Sequence, residues 1–255
     1  MIDNKTGQKL EHHALLRHHQ LGATWNTSYG DKLGRIYQGI VVDPKEPTIK
    51  RVEDNSTFKT IRYEEIPLNR CVGIYLSKVV CTFLPKKSDP NRTRITIAVQ
   101  NTTSPSNVGT KMDSLDLVKL LPNSVISHKG AKFFTFYIKN FYIQTPLHRT
   151  EYVRIKLRDI PQNFIDEYKL MEYVHVNGWV YFEIRNGIHG LPQSGALANA
   201  LLGQRLNKQG YYQCATTPGL YRQEWKPITF CLIVDNFGVE YVGERHALHL
   251  WAALE

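Results

Sequence analysis

Two stretches of this 255-residue chain concentrate side chains able to do chemistry. Near the C-terminal end, Ile228-Thr229-Phe230-Cys231-Leu232-Ile233-Val234 and Phe237-Gly238-Val239-Glu240-Tyr241-Val242 flank the dipeptide Asp235-Asn236. Two strand-like runs separated by two residues of turn-forming type predict a tight β-hairpin joined at Asp235-Asn236. A carboxylate at such an apex, held by apolar sheet on either side, is a hard oxygen donor suited to Mg²⁺. Asp and Asn also favour hairpin turns for backbone reasons, so the apex alone does not specify a metal site. The second stretch is basic. Lys86, Lys87 and Arg92 lie between strand patterns over Tyr75–Phe83 and Arg94–Val99, the second of which opens on Arg94. They predict a hairpin with cations at its tip and along one strand, a charge pattern that either blunts an edge or grips phosphate.

Other candidates point to less. His12, His13, His18 and His19 cluster near the start, but offer neither an i,i+4 pair nor an accompanying carboxylate or thiol array. They read as solvated histidines on a short helix or loop. Cys71, Cys81, Cys214 and Cys231 form no Cys-x-x-Cys pair and read as reduced core thiols. The sequons at Asn26, Asn55, Asn91 and Asn101 carry weight only in a secreted chain. The first residues contain no apolar signal region, and the run Ile228–Val234 falls far short of the ~20 residues that span a bilayer. These features lead to the expectation of an intracellular, cytoplasmic protein without a membrane span.

The elements that must position this chemistry follow from periodicity. Residues 1–60 are polar and weakly periodic, with Pro44 and Pro47, and read as a segment separate from 61–255. Leu117, Leu120 and Leu121 at i, i+3, i+4 predict a helix over 114–121 capped by Ser114. Phe133–Ile138 and Trp179–Arg185 predict strands. A glycine-punctuated turn over 187–195 leads into a helix to about Gln209, stopped by Gly210. This irregular order argues for an α+β sandwich with an antiparallel sheet, not a regularly alternating doubly wound fold. Composition agrees with a folded chain. Hydrophobic residues make up 42%, and 32 Lys+Arg against 23 Asp+Glu give +9, favouring a polyanionic partner.

Three segments, in order, carry a resemblance: Ile138-Lys139-Asn140-Phe141-Tyr142-Ile143-Gln144-Thr145-Pro146-Leu147, Gly190-Leu191-Pro192-Gln193-Ser194-Gly195 and Leu232–Gly243. Together, with Asp89-Pro90-Asn91-Arg92 and Asn123-Ser124-Val125-Ile126-Ser127, they resemble the reverse transcriptase of copia-like LTR-retrotransposon pol polyproteins over roughly 63–255. The resemblance implies an α+β right-hand polymerase fingers–palm fold with an antiparallel palm sheet and packed helices. It also implies an RNA-directed DNA polymerase family, an RNA/DNA primer–template, dNTP and Mg²⁺. Carried over by position, Asp235 is a metal-binding catalytic aspartate. Gln193 lies against the incoming nucleotide, Tyr142 is the sugar gate, and Arg92 and Arg94 reach the triphosphate.

The departures from that pattern are concentrated at the chemistry. Tyr137 and Asn236 stand where the family has aspartates, leaving Asp235 as the survivor of three carboxylates. A tyrosine is neutral at pH 7 and cannot bridge two Mg²⁺ ions. Asp159, Asp166 and Glu183 are weak substitutes, with Glu183 the best placed. Ala98-Val99-Gln100-Asn101 replaces an expected glycine-rich run, and Glu240 replaces a usual lysine. Set against the family pattern, the residues after the hairpin amount to one helix, which leads to the expectation of a copy truncated before the thumb. The resemblance therefore implies a truncated, degenerate copy unable to polymerise. The alternative is a non-catalytic nucleic-acid-binding module, or a folded remnant of a transposon.

Overall fold

The computed structural model describes residues 10–37, 57–87, 90–98, 115–217 and 219–254, with the side chains of 115–118 excepted. The expected Ser114 cap, the Leu117 side chain, Pro44, Pro47, Asn55, Asp89 and the segment 99–101 lie outside what is described.

The chain is α+β. In order it forms α1 (His12–Leu16), α2 (Gly22–Ile36), β1 (Phe58–Ile61), β2 (Tyr75–Phe83), β3 (Asn91–Ala98), α3 (Leu115–Ser127), β4 (Ala131–Tyr137), β5 (Pro146–Lys156), α4 (Gln162–Glu167), β6 (Trp179–Asn186), α5 (Ser194–Lys208), β7 (Tyr211–Gln213), β8 (Leu220–Gln223), β9 (Ile228–Ile233), β10 (Asn236–Val242) and α6 (Glu244–Leu254). Short 3₁₀ turns connect several of these. Two compact units result, and they do not divide at residue 60. The first comprises 1–104 and 146–194, the second 105–145 and 195–255.

The first unit is built on a five-stranded sheet, β1-β6-β5-β2-β3. This sheet is mixed, because β2 and β5 pair in parallel at Tyr75–Val153 and Leu76–Arg154. The expected hairpin of β2 and β3 forms, but β3 begins at Asn91, so Arg92 belongs to the strand with Arg94. Strand β5 escapes the period-2 reading because Arg149, Glu151, Arg154 and Lys156 interrupt its apolar residues. The tertiary structure supplies their partners. Arg149 and Arg70 bind Glu151, while Arg154 and Lys156 lie over the Trp179 ring at 4.8 Å and 5.2 Å.

The polar N-terminal segment is not separate from this unit. Trp25, Tyr29, Leu33 and Ile36 of α2 are buried at i, i+4, i+8, i+11, an amphipathic face that polar neighbours disguise. His12 is likewise buried and meets Tyr29 edge-on at 4.6 Å, which corrects the solvated reading for that residue. His18 and His19 stack at 4.7 Å, and the described residues contain no group of three or more His, Cys, Asp or Glu placed to hold a metal ion.

The second unit is built on another five-stranded sheet, β4-β10-β9-β8-β7, antiparallel throughout. One face buries Phe230, Leu232, Phe237 and Val239 together with Leu202 and Leu206 of α5 and Leu250 of α6. Gly210 adopts φ +76°, the left-handed conformation expected of a glycine just past α5. Helix α3 touches a different set, with Leu121 clustering with Leu220 and Cys231. All four cysteines are free thiols, but only Cys231 is buried and the other three are half-buried. No described helix is long and apolar enough to cross a membrane.

Candidate functional site

The candidate residues fall into two groups. Tyr137, Tyr142, Asp235 and Asn236 belong to the second unit, and Arg92, Arg94 and Gln193 to the first.

In the second unit, β4 and β10 pair over seven residues, from Val242–Ala131 to Asn236–Tyr137. The register is supported on the core face, where Phe136 stacks on Phe237 with centroids 4.5 Å apart, directly opposite one another. Tyr137 therefore ends its strand beside Asn236, and the next backbone N–H, that of Ile138, donates to the Asp235 carbonyl at 2.8 Å. Tyr137 is 66% exposed and Asn236 is exposed too, whereas Asp235 is half-buried. The Asn236 amide donates to the Asp235 carboxylate at 2.8 Å.

The hairpin turn is displaced from its expected place. Ile233 pairs with Asn236, so the turn residues are Val234-Asp235 rather than Asp235-Asn236. Side-chain alternation cannot distinguish these registers, because they differ by two residues and leave the same faces inward. Val234 consequently adopts φ +60°. For a β-branched residue this left-handed conformation is strained, and such strain gathers at functional sites and tight turns.

Tyr142 reaches this neighbourhood through a turn that the sequence encodes locally. Asn140 has φ +60°, a conformation asparagine tolerates well, and its carbonyl accepts the Gln144 N–H at 3.1 Å. The Thr145 N–H closes a second turn on the Tyr142 carbonyl at 2.9 Å. Burial, and then the Asp235 carboxylate, push the Tyr142 phenol above its usual pKa. The half-buried ring thus presents a neutral O–H within the electrostatic reach of the apex.

The metal that the resemblance implies is Mg²⁺, and the donors present at the apex decide whether it can be held there. Around the apex stand the Asp235 carboxylate, the Asn236 amide already donating to it and the neutral phenols of Tyr137 and Tyr142. Mg²⁺ prefers several hard oxygen donors in near-octahedral array, and a two-metal clamp needs bridging carboxylates. These residues do not fit it. The other acids have partners of their own: Glu183 is bound to Arg185 at 3.0 Å, Asp159 lies 3.9 Å from Arg158, and Asp166 accepts from the Gln162 amide at 2.8 Å.

In the first unit, Arg92 and Arg94 are exposed on alternate positions of β3, flanking buried Thr93. No carboxylate partner to either is present among the described residues, and the same holds for exposed Lys86 and Lys87 at the hairpin end of β2. The glycine turn before α5 is docked on this strand. The Ile97 N–H donates to the His189 carbonyl at 2.8 Å, and a Cβ on Gly190, at φ +89°, would lie 2.3 Å from the Ile97 carbonyl oxygen. Only glycine fits there.

Gln193 follows in the same turn, and its amide donates to Glu151 at 3.2 Å. Glu151 is only 2% exposed and also accepts from Arg70 at 2.5 Å and Arg149 at 2.8 Å. This buried carboxylate, with two guanidiniums and an amide about it, was not visible in the sequence, because its partners come from three separate segments.

Comparison with protein-family models and with curated proteins gives no match to this chain.

Proposed function

We propose that the chain is a reverse-transcriptase-type domain whose second unit is a polymerase palm and whose first unit corresponds to fingers, and that it no longer polymerises. The observation that carries this reading is the pairing of Tyr137 with Asn236 beside Asp235. Three positions that the resemblance assigns to carboxylates, Tyr137 on one strand and the adjacent Asp235 and Asn236 about a hundred residues later, meet at one end of an antiparallel sheet. The strained Val234 at the turn and the Tyr142 phenol near Asp235 add support.

Phosphoryl transfer depends on electrostatic stabilisation by clamped metal ions, and the surviving donor set does not supply their ligands. What the chain retains is cationic. Arg92, Arg94, Lys86 and Lys87 are exposed on one hairpin, a surface suited to phosphate oxygens. Binding of a primer–template without turnover is thus the activity best supported, which merges the polymerase ancestry with the non-catalytic alternative.

Primer extension with Mg²⁺ or Mn²⁺ tests the loss of catalysis. No template-dependent dNTP incorporation above that of D235A is expected, and incorporation above that control overturns the claim. The palm assignment has its own arm. Y137D/N236D rebuilds three carboxylates at one sheet end, and it should bind Mn²⁺ in a spectroscopic titration where the parent does not. Failure of the folded double variant to gain Mn²⁺ overturns the assignment.

A further inference from the structure

Helix α2 lies in a segment that the sequence resemblance does not securely reach, yet it packs along β3. The Ser28 hydroxyl donates to the Asn91 carbonyl at 2.6 Å and shares a hydrogen bond with the Thr93 hydroxyl at 2.8 Å. Lys32 follows Ser28 by four residues and Arg35 follows by seven, so all three lie along one stripe of the helix. That stripe runs beside the buried one formed by Trp25, Tyr29, Leu33 and Ile36. Lys32 is half-buried and Arg35 exposed. The hydrogen bonds of Ser28 set this stripe against the strand that carries Arg92 and Arg94.

We propose that Lys32 and Arg35 join Arg92 and Arg94 in one phosphate-binding surface, and that its ligand is the sugar–phosphate backbone of a nucleic-acid strand. This rests on the nucleic-acid reading above and extends it to a helix outside the polymerase motifs.

Electrostatics argue the same way. Burial and then the charges of Arg35, Arg92 and Arg94 all lower the Lys32 pKa. No ion pair involving any of these four cations is present among the described residues. Like charges gathered in this way, one of them partly desolvated, oppose the folded state unless an anion neutralises them. Two of the cations come from a helix and two from a strand, so the charge is spread along an edge. Such a spread suits successive phosphates of a strand, with the arginine forks taking two oxygens each and the lysine acting as a point charge.

The test is salt-titrated binding of a fluorescein-labelled RNA–DNA hybrid duplex to the full chain. In K32Q/R35Q the slope of log K against log salt should become shallower by about 1.5–2, with affinity about ten-fold weaker near 0.1 M salt. K59Q/K169Q removes two exposed charges elsewhere in the same unit and controls for net charge. It should keep the parental slope. Circular dichroism confirms folding, and K32M supplies a second readout. Relief of like-charge repulsion should raise its melting temperature without ligand, while the duplex should raise it less than in the parent.

The outcomes separate. Parental binding with an unchanged slope in K32Q/R35Q overturns this inference and leaves the nucleic-acid reading intact. Equal slope loss in K59Q/K169Q also overturns it, since net charge alone would then suffice. Absence of parental binding even at low salt overturns both. Displacement of the duplex by inorganic tripolyphosphate at the same phosphate concentration would assign the cluster to a nucleotide's phosphates, and so overturn the strand reading.

Discussion

Val234 holds the apex carboxylate in place at a conformational cost. Its φ of +60° lies where a β-branched side chain crowds the backbone, at roughly 1–3 kcal/mol. Glycine at this position should relieve the strain while increasing the entropy lost on folding, by up to about 1 kcal/mol. Val234→Gly is therefore expected to leave unfolding free energy unchanged or raise it by about 1 kcal/mol, as measured by urea denaturation. A loss greater than that would show that packing of the Val234 side chain outweighs its strain. The residue types at the apex were readable beforehand, but which two residues form the turn was not. Alternation fixes a strand's faces and is blind to a shift of two. Similarly, Gln193 was visible in its glycine turn, whereas its hydrogen bond to Glu151 required a strand from elsewhere in the chain.

At the level of elements, α3 is joined to β10 by a half-buried polar contact centred on the buried Glu240. Glu240, in the middle of its strand, accepts hydrogen bonds from the Ser124 hydroxyl and from His128 Nδ1. Ser124 in the last turn of α3 and His128 just past its end are four residues apart, with the His128 N–H donating to the Ser124 carbonyl at 3.2 Å, so a single carboxylate binds both at the helix C-terminus. Restoring the lysine that the resemblance leads one to expect would bury an ammonium beside His128, without an acidic partner. Glu240→Lys should cost about 3–5 kcal/mol of stability. Glu240→Gln keeps a hydrogen-bond acceptor and should cost about 1 kcal/mol. Equal stability of the lysine variant and the parent in chemical denaturation would disprove the clamp. This contact gives Glu240 a structural role in joining the strand to the helix. A strand glutamate reads as a solvent-facing residue until its helix partner is known, and nothing in the spacing from Ser124 to Glu240 reveals that pairing.

Across the whole molecule, three histidines withdrawn wholly or partly from solvent set an acid limit. Burial holds His12 down to about 4 from 6.5, despite the opposing influence of Asp159. His246 and His249 are lowered in the same sense, each first by burial. In every case the unfolded chain takes up a proton at a higher pH than the folded one. Stability is therefore full above about pH 6.5 and falls as pH drops from there toward 4. Thermal melts should show this decline, and His12→Phe should flatten part of it; an unchanged profile in that variant would remove His12 as a cause.

What the sequence determined by itself was local. Strand and helix types, the stop at Gly210, the two hairpins and the basic character of one of them follow from side-chain periodicity and turn chemistry, which act over a few residues. The tertiary structure alone decided the long-range pairings: Tyr137 beside Asn236, α2 along β3, and the two interleaved units in place of a division at residue 60. These depend on which apolar faces and hydrogen-bonding edges satisfy one another across the chain. That balance of burial and backbone pairing leaves no mark in the spacing of any single segment.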